Sequence, residues 1–517
     1  MSRTRRLEIA FAASIALAAF GSAVADELDD IGLTDLQDRL GSATPTGAGV
    51  VVGQIEVPDP GYGPNQVNPE FDGISFVAES GPAGASGHAT TVATRLYGRT
   101  LSPAPGVGVV HLWDVNDFLF SGYLKQGSGS PPPAPPEGLQ VFNHSWIGSL
   151  STTAANKELL RRADYAANAF RTLWVVGVNN GASNTNLPLL SGMFHGLSVG
   201  LSNGNHASDD TGADTDAPGR QRPEIVAPAD FTSFSTPLVG ASAALLYETR
   251  EIVPELASNN LANLPQVIKA TLMAGAVRNE SWTNLPSPET VRGVTTRPLD
   301  EVFGSGVLNI DRAHRIYTGL EQPGSGTVPS APTVSGPCWD YETMSGSEVH
   351  WHRFDLEEPA AEVSICAAWN RITPTNWTST TLPDIDMEIL AVDGNGATTP
   401  LAGAGAKVFG GGNVVSESPV NSTELLHVRD LAAGSYVVRF ARADGSPVTT
   451  RLAMAFWLPE GGDGPMPGDL DGDGFVNGSD FGILLSLWGT SDPAADLDGS
   501  GAVGGGDIGA MLALWTG

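Results

Sequence analysis

Cysteine is nearly absent, with two residues in 517, which excludes a small disulfide-stapled scaffold. Basic side chains are also few. Against 57 Asp and Glu the chain carries 27 Lys and Arg, a formal charge of −30, which argues against binding to nucleic acid or to anionic lipid. Long apolar runs are missing beyond the first 25 residues, so no later segment reads as a membrane span. What is present is length enough for about two to four domains and a large buried core.

The chain opens with Arg3, Arg5 and Arg6, continues through the apolar run IAFAASIALAAFG, and reaches Ala23-Val24-Ala25 before Asp26. A basic start, a short apolar segment and a small-residue cleavage site read as a secretory signal peptide over 1–25. The apolar run is too short for a full transmembrane anchor. The expected location is therefore outside the cytoplasm: extracellular, at the cell surface or periplasmic. Export favours a Cys338–Cys366 disulfide, since both cysteines fall in one expected domain; two unpaired buried cysteines are the alternative.

The chemistry centres on Arg222 to Leu246, RPEIVAPADFTSFSTPLVGASAALL. An extended apolar segment, Ile225 to Pro228, leads into a Thr-Ser pair and then into a small-residue apolar run that reads as a buried helix. Such a turn presents the Ser233 hydroxyl at a helix start, but a serine is a weak nucleophile until a base takes its proton. SGHATTVATRLYG supplies His88 at the start of a second helix. An acid follows from the buried strand Val50 to Ile55, whose carboxyl end carries Glu56, where α/β sheets place functional groups. Asp59 is the second candidate acid.

These strings, in the order acid, histidine, asparagine, serine, resemble the subtilisin-like serine proteases, whose patterns read G-T-S-M-A-x-P around the serine and H-G-T-H-V-A around the histidine. The resemblance runs through most of Gly47 to Tyr317 and implies an α/β fold with a parallel sheet core. It further implies Ser233 as nucleophile, His88 as base and Glu56 as the orienting acid, with Asn179 of VGVNNG as oxyanion donor and Asn180 as its fallback. Ser145, Trp146, Ile147 and Gly148 match the edge on which the family lays its peptide substrate by strand addition. The chain departs from the family in having Glu where it has Asp, in Phe231 at the glycine before the Thr-Ser pair, and in a shorter excursion from Pro228 to Thr232.

The Pro/Gly-rich segment GSGSPPPAPPEG reads as an extended, mobile surface insertion, and residues 321–337 as a linker. Short alternating runs beyond Cys338 read as a β-sandwich and resemble bacterial pre-peptidase C-terminal modules. His350 and His352 share one side of a strand as metal ligands would, but with no further ligand cluster near them they read as a partly exposed strand face. The last segment is a duplication, GDLDGDGFVNGSDFGILLSLWG followed by ADLDGSGAVGGGDIGAMLALWTG. Its oxygen-bearing side chains are spaced as in a loop wrapped around calcium. The first loop offers Asp469, Asp471, Asp473, the Phe475 carbonyl, Asn477 and Asp480; the second offers Asp496, Asp498, Ser500 and Asp507, with Gly504 where the first has Asn477. Each loop precedes an apolar helix ending in Leu-Trp, so the tail resembles a type I dockerin. That implies bound Ca2+ and a cohesin-like surface partner; a calcium-stabilised end cap with no partner is the plainer alternative.

The expected organisation is a signal peptide over 1–25, a short segment over 26–46 and a subtilisin-like catalytic domain over 47–320. A linker (321–337), a β-sandwich (338–460), a second linker (461–468) and a dockerin-like, EF-hand-like helical tail (469–517) follow. The expected function is a secreted serine endopeptidase acting on protein or peptide substrates through a Glu/His/Ser triad, with no cofactor needed for the chemistry. Its rival, kept open by Glu56 and Phe231, is a catalytically inactive fold of the same family serving as a binding or adhesion module at the cell surface.

Overall fold

The computed structural model describes residues 27–287, 293–401, 412–459, 468, 470, 476–492 and 494–515. The expected signal peptide therefore lies outside the described residues, as do Asp469, Asp471, Asp473 and Phe475 of the first acidic loop. The chain divides into two compact units, Met1–Pro459 and Glu460–Gly517.

The first unit is built on a seven-stranded sheet made of β1 (Val51–Glu56), β2 (Ser75–Ala78), β3 (Val109–Asp114), β4 (Leu139–His144), β5 (Leu173–Gly177), β6 (Gly196–Leu201) and β7 (Ile225–Ala227). Their order is β2-β3-β1-β4-β5-β6-β7, and every pairing is parallel. This is the α/β core expected from the sequence. Helices in this unit are α1 (Leu33–Leu40), α2 (Gly87–Tyr97), α3 (Val115–Phe120), α4 (Thr153–Phe170), α5 (Thr232–Ile252), α6 (Pro254–Ala257), α7 (Pro265–Ala274) and α8 (Ile310–Thr318).

The period of two along each strand sorts the core into two layers. Val52, Val141 and Val175 join Leu96 of α2 and Val239 of α5 on one face. Ile55, Phe142, Trp174 and Val176 join Leu159 and Ala163 of α4 on the other. Close approach of α5 to the sheet depends on Gly240, where an added Cβ would lie 3.1 Å from both Leu96 and Val175. The chain leaves β1 toward β2 and β3 on one side and toward β4 on the other, and ligand sites of open α/β sheets form at such a reversal, beyond the carboxyl ends of the strands.

Two sheets follow, antiparallel except where β8 pairs in parallel with β14, formed with β8 (Val294–Thr295), β9 (Cys338–Met344), β10 (Val349–Leu356), β11 (Ala360–Trp369), β12 (Ile385–Val392), β13 (Thr398–Pro400), β14 (Val415–Ser416), β15 (Thr423–Leu431), β16 (Gly434–Arg442) and β17 (Thr450–Trp457). One has the order β15-β11-β17-β9; the other runs β10-β16-β12-β14-β8, with β13 on β12. Trp339, Cys366 and Ala455 of the first sheet share the core that holds Ile268 and Leu272 of α7. The sandwich is thus continuous with the α/β layer.

Several expectations are corrected at this level. Cys338 and Cys366 are both free thiols. They sit on β9 and β11, which β17 separates, and they pair with Phe456 and Ala455, adjacent residues of β17 that point to opposite faces. Two strand spacings place their backbones about 9–10 Å apart, beyond the span of a disulfide. Residues 321–337 are strapped to the sandwich, with bridges from Glu321 to Trp339, Ser325 to Trp351 and Thr333 to Arg353. The start of the Pro-rich insertion is held as well, because the buried Arg162 guanidinium donates to the carbonyls of Ser128 and Ser130. His352 is fully buried and bonded to Asp340 at 2.8 Å, so the strand face it occupies is core.

The second unit carries α9 (Gly478–Ser486) and α10 (Gly505–Ala513). Val476, Leu484, Ala495, Val503 and Met511 form a small core of its own.

Candidate active site

A cavity of about 280 Å³ lies at the carboxyl ends of β1, β4 and β5. Its lining includes Glu56, His88, Ser145, Trp146, Ile147, Asn179, Asn180, Thr232 and Ser233. Residues spread over 178 positions of sequence are brought together because parallel strands deliver their carboxyl ends to one side of the sheet.

Glu56 is the last residue of β1 and is 1 % exposed. His88 is the second residue of α2, which starts at the Ser86 cap, whose hydroxyl accepts from the Ala89 amide. The His88 Nδ1 lies 2.9 Å from Glu56 Oε2. Burial pushes the His88 pKa down, but the charge of Glu56, its hydrogen bond and the more distant charge of Asp59 push it up further, leaving it above 6.5. Asp59 itself is exposed and outside the cavity lining. Among the described residues the acid that touches His88 is Glu56.

A second histidine nearby behaves in the opposite way. His144, at the end of β4, is fully buried and stacks on Trp174 at 4.8 Å between ring centroids. Neither ring nitrogen has a partner among the described residues. Burial alone lowers its pKa to about 3, so it stays neutral in the core.

Ser233 is the second residue of α5, a helix that begins at Thr232, before Pro237. Phe231 caps the start with φ −139° and ψ 148°. That is ordinary extended backbone, so a phenylalanine at this position carries no strain. Its ring meets Phe234 edge to face at 5.8 Å, and Phe234 in turn lies 6.0 Å from the His88 ring. The Ser233 amide belongs to the first turn of α5, where N–H groups have no helical acceptor. The Ser233 hydroxyl donates to the Ser145 carbonyl at 3.3 Å, a long bond to the segment expected to take substrate.

The two asparagines are committed differently. Asn179 Nδ2 donates to the Thr185 carbonyl at 2.9 Å. Asn180 Oδ1 accepts from the Thr232 amide at 2.8 Å and from its hydroxyl at 3.0 Å, tying the turn after β5 to the start of the serine helix. Gly148 pairs with Leu189, with each amide donating to the other's carbonyl, so the edge after β4 is paired at one end, while Ser145, Trp146 and Ile147 line the cavity.

Behind Glu56 stand two residues that the motif reading passed over. Gln54 and Tyr97 are both fully buried. Gln54 Nε2 lies 2.9 Å from Glu56 Oε1 and 2.9 Å from the Ala89 carbonyl, and the Tyr97 hydroxyl donates to Gln54 Oε1. The signal was a polar residue two places before Glu56 in an otherwise apolar strand, hence on the same face.

In the tail, carboxylate oxygens of Asp496, Asp498 and Asp507 lie within 4.8 Å of one another. Amides of Asp498 and Gly504 donate to Asp507 and hold its carboxyl below the usual range. A set of ionised carboxylates suits a hard divalent cation. Ser500 Oγ donates to the Ala502 carbonyl. In the first loop, Asp480 accepts from the Leu470 and Asn477 amides. Asn477 caps α9 by accepting from the Ser479 amide, so its side-chain oxygen serves the helix start.

No protein-family model matches the chain, and no curated protein matches it. Among solved structures it is similar to fervidolysin from Fervidobacterium pennivorans, described as a keratinolytic enzyme related to subtilisin. That match has 13% identity and a TM-score of 0.37, and covers 88% of this chain and 85% of the other. It is also similar to a cold-adapted subtilisin-like serine proteinase, with 20% identity and a TM-score of 0.28 over 45% of this chain and 84% of the other.

Proposed function

We propose that the chain is a serine endopeptidase, exported by its signal peptide, that hydrolyses peptide bonds with Ser233, His88 and Glu56. The observation that carries this reading is the contact of buried Glu56 with the half-buried His88, joined at 2.9 Å, in the cavity that is also lined by Ser233 from a helix start. Without a positioned base the hydroxyl would stay a weak nucleophile. With Glu56 holding Nδ1, the other ring nitrogen of His88 is left to act as base and then as acid.

In the reaction His88 takes the Ser233 proton as Oγ attacks the scissile carbonyl. Glu56 steadies the imidazolium that forms. The Ser233 amide and Asn179 Nδ2 stabilise the oxyanion, which requires the Asn179 amide to leave the Thr185 carbonyl. Substrate laid along Ser145 to Ile147, with Gly148 already paired to Leu189, supplies an N–H to the Ser145 carbonyl and displaces the Ser233 hydroxyl toward His88. Catalytic hydrogen bonds commonly tighten only when substrate is bound.

The tail, on this reading, binds Ca2+ through its acidic loops and, by its dockerin resemblance, takes a cohesin-like surface partner. Among the described residues no helix is long and apolar enough to cross a membrane.

One observation favours a second reading, an inactive binding or adhesion module: the Ser233 hydroxyl is bonded to Ser145. An active-site phosphonate separates the two. It labels the wild type at Ser233 and spares Ser233→Ala in the protease; an unlabelled wild type, or labelling that survives in Ser233→Ala, overturns the proposal.

A further inference from the structure

We propose that Gln54 is a positioning residue that clamps the acid strand to the histidine helix, with Tyr97 as its backstop. The inference rests on the reading of Glu56 and His88 as a working pair.

Alternation along β1 points Val52, Gln54 and Glu56 to the α2 face, and the layer around them is apolar. A primary amide buried there is costly unless its hydrogen-bonding groups are met. Here they are met: the Gln54 amide nitrogen serves both Glu56 Oε1 and the Ala89 carbonyl, at 2.9 Å each. The orientation of the amide is fixed, because a carboxylate and a backbone carbonyl can only accept. Its oxygen is left for a donor, which the Tyr97 hydroxyl provides. Burial, with the Glu56 charge adding to it, raises the Tyr97 pKa well above 10, so the phenol remains protonated and donating.

The three contacts define a shape. Glu56 has one oxygen on Gln54 and the other on His88, so its carboxylate cannot turn without breaking one bond. Ala89 follows His88 directly in α2, so the second Gln54 bond sets the distance between the strand that carries the acid and the helix that carries the base. A glutamate has one more side-chain torsion than an aspartate. The clamp removes that freedom, which lets a glutamate hold the imidazole from the end of this strand.

The test uses the full-length protein. Gln54→Met keeps side-chain length and removes both donors; Tyr97→Phe removes only the backstop hydroxyl. Misplacing a catalytic group by an ångström costs ~10²-fold in rate, so Gln54→Met is expected to lose kcat on that scale with KM unchanged. Tyr97→Phe is expected to lose less, also in kcat alone. Proton NMR reads the geometry independently of turnover: the low-field His88 Nδ1–H resonance of the wild type should shift or vanish in both variants. Wild-type kcat and an unshifted resonance in a folded Gln54→Met overturn the proposal, and if that variant does not fold, the same pair of results in Tyr97→Phe does so. Should the wild type prove inactive, the protease reading fails by itself and the resonance alone decides the clamp.

Discussion

The Arg371 guanidinium, carried on the segment after β11, lies 2.6 Å from the Asp164 carboxylate of α4, and both side chains are shut from solvent. It also reaches Asp216 at 2.7 Å and stacks on Phe194. A residue of the sandwich therefore completes the charge balance inside the α/β layer. This contact, the apolar layer shared by α7, β11 and β17, and the ion pairs of Arg278 and Arg312 with Glu362 all join the sandwich to the α/β layer.

Replacing Arg371 with alanine leaves Asp164 buried without its main counter-ion, a loss of about 3–5 kcal/mol for a broken buried pair. Chemical denaturation should show that loss. Burial alone would raise the Asp164 pKa, but Arg371, His195 and Arg220 bring it below 3.8. Its stabilising contribution is therefore present above the ordinary aspartate pKa and lost as pH falls through the depressed one. Wild-type stability in Arg371→Ala would show that the interface does not depend on this charge.

Glu56→Gln keeps the shape of the acid and removes its charge. Removing the charge of a triad acid costs ~10⁴ in turnover with the fold intact, so this variant should be nearly inactive on peptide substrates. Asp59→Asn should stay close to wild type, since Asp59 reaches His88 only through its distant charge. The check is kcat and KM for the two variants side by side; equal rates in Glu56→Gln and wild type would sink the triad.

The pH profile should carry the same signature. In the proposed mechanism His88 acts as a base only when neutral, and its pKa lies above 6.5. The acidic limb of kcat/KM is thus expected above pH 6.5, activity falling as pH drops through it. For stability the sign is reversed: the ion pair contributes fully below the ordinary histidine pKa and is lost as pH rises through the folded one. An acidic limb below 6.5 would contradict the pairing.

Both cysteines should behave as buried thiols. Burial pushes the Cys366 pKa up to about 12, so alkylation should be negligible in the folded protein and reach both residues in denaturant. Reduction should leave the intact mass unchanged. A gain of two hydrogens on reduction would restore the disulfide excluded by the strand order.

Calcium should order the tail. Asp496, Asp498 and Asp507 crowd like charges that a divalent cation offsets. Limited proteolysis of the full chain should cut within 469–517 faster in chelator than in calcium, and Asp507→Asn should weaken calcium binding measured by calorimetry. Identical digestion in both conditions would remove the metal from the account.

Part of this architecture was written in the chain itself. Apolar strands ending in polar residues, separated by helical runs, specify a parallel α/β sheet, because such strands must be buried on both faces and joined by helices. The same alternation puts Gln54 beside Glu56 on one face, whatever the rest of the chain does. Composition, in contrast, misled wherever burial depends on partners far away in sequence. The start of the Pro-rich insertion is pinned by Arg162, and the 321–337 strap by carbonyls of β9 and β10. The two thiols are parted by β17, a strand more than 80 residues beyond Cys366. Local pattern fixes which face a side chain takes, since that is a property of backbone period. Which side chain it meets there is decided only when the sheet order is set, and that order arises from packing the whole chain.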